Sequence, residues 1–305
     1  MVSAKRLKAL VYDPLYIARN SLLYIFGTVL YFVVTGQMSY ASLAGFFGFI
    51  MTYNSIYYLN DLKDYEEDKR DPYKWQSKPL LNGALKKREA AILYVFYLVS
   101  GLLISFSVGE TFFQLVVSML VLNFLHSFLF KKHYTLLFAN MVIIQMIKVT
   151  LGWISVTSSF ADFPLYFVFF IGSTYSLGYL IYKKEKSLIE VNKNKFAMRK
   201  REYFKEGVKK VFGRLLGNRT NSLFFMLAAV SLLTSYVLYP FRLHIIVMLL
   251  ISAAFAVLIK FVKGEKFNLY TTYHIFIVTL LCTIIIAFFL ITYVPEFSAI
   301  NQILA

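Results

Sequence analysis

Apolar runs long enough to cross a bilayer alternate with short polar segments along nearly the whole chain. A membrane-spanning helix needs about 20 mostly apolar residues. Nine such runs are predicted, over residues 15–34, 39–59, 91–108, 112–130, 136–156, 163–182, 223–239, 243–262 and 271–293. Two of the intervening polar segments are long, 60–90 and 183–222, and each follows an even-numbered run. The pattern predicts an all-α integral membrane protein, nine transmembrane helices in one bundle forming a single domain over 1–305.

Composition supports this class: 59% of residues are hydrophobic, 18% are aromatic and the mean hydropathy is +0.63, well beyond a soluble domain of this length. The net charge of +16 invites a nucleic-acid reading, but the distribution of charge excludes it. All but Arg19, Lys148 and Arg242 of the 32 basic residues lie in the N-terminal segment, at the ends of even-numbered spans or just after them. That asymmetry is the positive-inside pattern. It predicts a cytoplasmic N-terminus, an outer C-terminus and an integral membrane location in the cell membrane, with polar chemistry facing the cytoplasm. The first run is too long for a signal-peptide core, and no small-residue cleavage site follows it. The lone Cys282 lies within the last run, permits no intrachain disulfide and reads as packing.

The segment from Asn60 to Asp68 carries the clearest chemistry. Asp61, Asp64 and Asp68 recur at i, i+3 and i+7, which would place three carboxylates on one helical face. Like charges gathered at a membrane edge repel, whereas a hard cation with oxygen ligands rewards them. Mg2+ is the predicted ion. The second long segment is overwhelmingly basic, with thirteen Lys or Arg against four Glu. Within it Phe204, Val208, Val211, Phe212 and Leu215 recur at helical spacing among lysines, a pattern for a helix lying in the headgroup layer or a lid over a cytoplasmic cavity. Besides Lys260 at the end of the eighth run, Arg19 and Lys148 fall inside spans, where ionisable groups face a partner or a cavity. Arg19 is close enough to an end to snorkel, while Lys148 is mid-span and requires an anion or water.

Asn60-Asp61-x-x-Asp64-x-x-x-Asp68 resembles the first aspartate motif of the UbiA superfamily of intramembrane prenyltransferases, and Lys78-Pro79-Leu80-Leu81-Asn82-Gly83 resembles the Arg-Pro-Ile-x-x-Gly that follows it. The resemblance implies that Asp61, Asp64 and Asp68 bind magnesium, which holds the diphosphate of a donor, with Asn60 beside them. Prenyltransferases of that superfamily carry a second Asp-x-x-x-Asp motif after the sixth span. Here the chain reads Tyr182-Lys183-Lys184-Glu185-Lys186-Ser187, with cations in place of acids. Lysines bind phosphate oxygens directly rather than recruiting more metal.

A basic second motif is similar to that of one branch, decaprenyl-phosphate phosphoribosyltransferase. Pro14-x-x-x-x-Arg19-Asn20, Asp71-Pro72-Tyr73-Lys74 and Lys148-x-x-x-Gly152 also resemble it. Against that branch, Ser187 stands where a glutamate is expected, leaving Glu185 or Glu190 to replace it, Asp71 replaces a histidine, and one residue is inserted before Lys78. The resemblance implies transfer of phosphoribosyl from phosphoribosyl diphosphate to a polyprenyl phosphate. Arg19, Lys74, Lys78, Lys148, Tyr182, Lys183 and Lys184 would bind the polyanionic substrates. The alternative is prenyl transfer from a prenyl diphosphate to an aromatic or lipid acceptor. A transporter or lipid scaffold fits poorly, because transporters show broken helices and polarity near the midplane, whereas here only Lys148 is deep.

Overall fold

The computed structural model describes residues 14–35, 37–69, 78–130, 133–177 and 219–238. Among the described residues every regular element is helical. The helices are α1 (Pro14–Thr35), α2 (Ala41–Lys63), α3 (Tyr65–Asp68), α4 (Lys87–Val108), α5 (Glu110–Phe128), α6 (Tyr134–Ile154), α7 (Leu165–Leu177) and α8 (Arg219–Leu238). Three are long and apolar enough to cross a membrane: Lys87–Val108, Glu110–Phe128 and Thr135–Ile154. The predicted spans 243–262 and 271–293 lie outside the described residues, as does the basic segment 183–218.

Local chemistry sets the helix ends. Pro14 opens α1, where its missing N–H costs nothing and its fixed φ suits a helix. α4 starts where Glu89 Oε2 accepts the backbone N–H of Lys86 at 2.8 Å, the side-chain return of a capping box. α4 and α5 meet at Gly109, whose φ of +151° is closed to side-chain-bearing residues. The predicted sixth span begins at 163, but Phe163 is still in a turn closed on Phe160. The helix starts after Pro164, whose carbonyl accepts from Val168.

The chain divides into two compact units, one of residues 1–132 and 147–163, the other of residues 133–146 and 164–305. In the first, α2 and α4 form the most extensive helix pair. They run antiparallel with backbones nearly touching: a Cβ on Gly101 would meet Thr52 Oγ1 at 2.4 Å, and one on Gly48 would meet Ser105 Oγ at 2.9 Å. Small residues four apart on both helices allow this approach. Thr52 and Ser105 turn their hydroxyls back onto Gly48 and Gly101 of their own helices, at 2.8 and 2.7 Å, so none is left unpaired in the apolar contact.

α1 lies against the end of α6 that belongs to the same unit. A Cβ on Gly27 would stand 1.9 Å from the Val149 carbonyl oxygen, and one on Gly152 would stand 1.9 Å from that of Tyr24. Thr28 Oγ1 donates to the Gly152 carbonyl at 3.1 Å. Above this crossing Trp153 packs edge-on against Tyr31, with centroids 4.9 Å apart. The outer faces of α4 and α5 expose Ile92, Val95, Phe96, Val99, Leu103, Phe106, Val121 and Phe124, as helices bordering lipid require. In the second unit Leu137, Phe138, Met141 and Val142 of α6 bury against Leu177 of α7, and Gly172 sits over Val142 and Met146.

Candidate active site

α2 runs past the predicted end of its apolar span at residue 59 and carries Asn60 and Asp61 in its last turn. Asp64 is the junction: its N–H closes on the Asn60 carbonyl at 2.8 Å, and its own carbonyl accepts from Asp68 at 2.8 Å. The backbone bends there, so the aspartates do not lie along one straight helix. Asp61 and Asp68 are nonetheless brought together. Their carboxylates reach the same atom, Lys78 Nζ, at 2.7 Å from Asp61 Oδ1 and 2.5 Å from Asp68 Oδ2. Both aspartate side chains are 3% exposed, and the lysine 22%.

Lys78 is held by the turn it opens. Its carbonyl accepts from Leu81 and Asn82, Pro79 accepts from Leu85, and Asn82 Oδ1 accepts from Ala84 at 3.0 Å. Gly83, at φ +74°, supplies the left-handed step that closes the turn. Leu80 and Leu85 anchor it in a cluster with Tyr58 and Ala90. Burial, the largest influence, would lower the pKa of Lys78. Asp61 and then Asp68 outweigh it and hold the ammonium above the ordinary lysine range.

Asp64 is half-buried at the bend. Among the described residues no three Asp, Glu, His or Cys side chains are gathered closely enough to hold a metal ion between them. The pair of Asp61 and Asp68 does fit a hard divalent ion. Magnesium is commonly held by one or two carboxylates, with waters and substrate phosphates completing its shell, and these two carboxylates already converge on a single cation. Asn60 takes a more specific position than a neutral amide near the metal. Its Oδ1 accepts from Ser127 Oγ of α5 at 2.6 Å, which leaves its amide N–H groups to face an acceptor such as a phosphate oxygen. Lys63 reaches the Ser127 carbonyl and lies 4.0 Å from the centre of the Phe128 ring, tying the same end of α2 to α5.

A second cluster surrounds Lys148, which is 1% exposed. Its ammonium donates to Asn20 Oδ1 at 2.7 Å and stands 4.5 Å over the Tyr53 ring. Asn20 Nδ2 donates in turn to the Tyr57 hydroxyl at 2.5 Å. Phe49, Tyr53 and Tyr57 follow one another along α2 at centroid separations of 5.6 and 5.4 Å, and Asp61 is the next residue at that spacing. A small cavity opens among Ile17, Asn20, Ser21, Phe49, Tyr53 and Asn54. Tyr57 and Ser127 are contributors that no sequence pattern singled out, whereas Asn20 stands in the motif Pro14-x-x-x-x-Arg19-Asn20 with no role assigned to it there. The backbone of Arg19 is helical within α1, while Lys74, Tyr182, Lys183 and Lys184 lie outside the described residues.

Residues 22–272 match the UbiA prenyltransferase family. The chain belongs to that family. Its fold is similar to that of a UbiA homolog from Archaeoglobus fulgidus bound to GPP and Mg2+, at 17% identity and a TM-score of 0.58, covering 93% of this chain and 99% of that one. A structure of a UbiA homolog from the same organism bound to Cd2+ gives 17% identity and a TM-score of 0.52, over 98% and 96% of the two chains. A third, also from that organism, gives 15% and 0.54, over 92% and 97%. At these identities the likeness is one of fold. No curated protein matches the chain.

Proposed function

We propose that this UbiA family member is a magnesium-dependent intramembrane transferase that takes a prenyl group from a prenyl diphosphate, passes it to an acceptor in the membrane and releases diphosphate. The observation that carries the reading is the convergence of the buried Asp61 and Asp68 carboxylates on one cation at the end of a file of aromatic rings. The Archaeoglobus fulgidus homolog bound to GPP and Mg2+ supports the same donor class and ion.

Asp61 and Asp68, with Asp64 at the bend, would hold Mg2+, which when bound neutralises charge on the departing diphosphate. Lys78 and the amide of Asn60 donate to phosphate oxygens. Lys74, Lys183 and Lys184 add positive charge around the same polyanion, and Arg19 and Tyr182 belong to this substrate-binding set. As the carbon–oxygen bond to diphosphate breaks, the ring faces of Tyr57 and Tyr53 stabilise the allylic cation. The acceptor's nucleophilic atom then forms the new bond to that carbon. Lys148, deep beside Asn20, suits a polar or anionic group on the acceptor. Nine spans and a site facing the cytoplasm complete the reading, on the strength of the charge asymmetry.

The second reading is phosphoribosyl transfer to a polyprenyl phosphate, and the specific observation favouring it is Lys183-Lys184 where prenyltransferases carry acids. Purified protein given radiolabelled prenyl diphosphate or radiolabelled phosphoribosyl diphosphate, with Mg2+ and a membrane lipid extract, separates the two. Metal-dependent diphosphate release from the prenyl donor is expected. Release from phosphoribosyl diphosphate alone moves the assignment to the second reading, and release from neither refutes both.

A further inference from the structure

Lys78 is placed as a competitor of the ion that its two partners would hold. Its ammonium takes one oxygen of Asp61 and one of Asp68, and a divalent ion bound to the same oxygens would repel it. The two aspartates cannot yield, because both are 3% exposed and sit on helical backbone. The lysine can: its side chain is 22% exposed, and four methylenes separate the ammonium from a backbone that the turn at 78–85 keeps fixed.

We propose that Lys78 is a tethered counter-cation that couples metal loading to donor binding, leaving Asp61 and Asp68 when the metal arrives and passing to the donor's diphosphate. This rests on the metal reading above. An ammonium expelled next to a metal has lost its anions, and a diphosphate returns them. Each ligand therefore relieves a cost the other would meet alone, and by linkage the assistance is reciprocal. Empty carboxylates stay neutralised without free metal, and metal and diphosphate bind best together.

Metal affinity of the full chain in detergent, read from the electron paramagnetic resonance of free Mn2+, tests the coupling without turnover. Lys78→Met should bind Mn2+ alone at least tenfold more tightly than wild type, yet bind preformed Mn2+–diphosphate at least tenfold more weakly. Lys78→Arg, which keeps the charge, should stay within about twofold of wild type for Mn2+ alone. Lys69→Met, which removes an exposed cation next to Asp68 in sequence, should stay within about threefold and so reports the general field. Unchanged or weaker Mn2+ binding by Lys78→Met overturns the proposal. Should that variant not fold, amine labelling of wild type decides: Mn2+ alone should raise the reactivity of Lys78 and added diphosphate lower it again, and constant reactivity overturns the coupling. Mn2+ binding that survives Asp61→Asn would instead place the metal elsewhere and overturn the metal reading itself.

Discussion

Gly152→Ala tests whether the α1–α6 crossing positions Lys148. The added methyl carbon would stand 1.9 Å from the Tyr24 carbonyl oxygen, 2.9 Å from its carbon and 2.8 Å from the Thr28 nitrogen, and the closest approach has to open to at least 3.0 Å. All three are backbone atoms of α1, so no rotamer change relieves the clash and the helices must part by about 1 Å. The bond from Thr28 to the Gly152 carbonyl, now 3.1 Å, and that from Lys148 to Asn20, now 2.7 Å, both stretch beyond useful length. Overpacking costs about 1–3 kcal/mol and each lost hydrogen bond about 1 kcal/mol or more, so a loss of about 3 kcal/mol is expected. Thermal unfolding in detergent micelles should show a midpoint lower by about 6 °C or more. Substrate affinity should fall as well, because Lys148 loses its orientation. A midpoint within 1 °C of wild type, with unaltered KM, would refute this account of the crossing.

Asp61→Asn and Asp68→Asn should each reduce turnover by about a hundredfold or more while the protein stays folded, because Lys78 keeps one carboxylate in either variant; near-normal activity in both would remove the metal from this site. Lys148→Met should raise the KM of one substrate about tenfold and lower the unfolding midpoint by about 2–4 °C, because the apolar side chain fills the same space but withdraws the ammonium from the buried Asn20 Oδ1. Unchanged kinetics would return Lys148 to a structural role. Gly101→Ala and Gly83→Ala should destabilise for different reasons. The first drives a methyl to 2.6 Å from the Thr52 nitrogen, while the second meets nothing within 4 Å and costs about 1–2 kcal/mol through its φ of +74°. Shortening Thr52 to glycine in the same chain should not restore the unfolding midpoint of Gly101→Ala, because the Thr52 backbone nitrogen and Cα stay in place.

The helices were legible because hydrophobicity is written locally: predicted spans 15–34, 91–108 and 136–156 lie within four residues at each end of α1, α4 and α6. The spacing of the aspartates was visible in the sequence, but the geometry bringing two of them together was not. Spacing on an ideal helix places Asp64 with the others, whereas the chain bends at Asp64 and Asp61 meets Asp68 through Lys78. No periodicity reports that partner, which stands ten positions beyond Asp68 in the chain and is anchored by the buried Leu80 and Leu85. Ser127 on Asn60 is hidden for the same reason, sixty-seven positions away in the chain. Lys148 was legible as costly, and its neighbour Asn20 was visible as a polar residue, but their pairing across α1 and α6 is a product of packing.

The near-contact of α2 and α4 also has a mechanical meaning. Gly48 on Ser105 and Thr52 on Gly101 lock the two helices at successive levels, so they act as one beam with Asp61 and the Lys78 turn mounted at the same end. A change in bilayer thickness or lateral pressure would tilt that beam as a whole and leave the spacing of its fittings unaltered. Transfer of the protein between detergents of different chain length should therefore alter how substrates reach the carboxylates far more than how the carboxylates face one another.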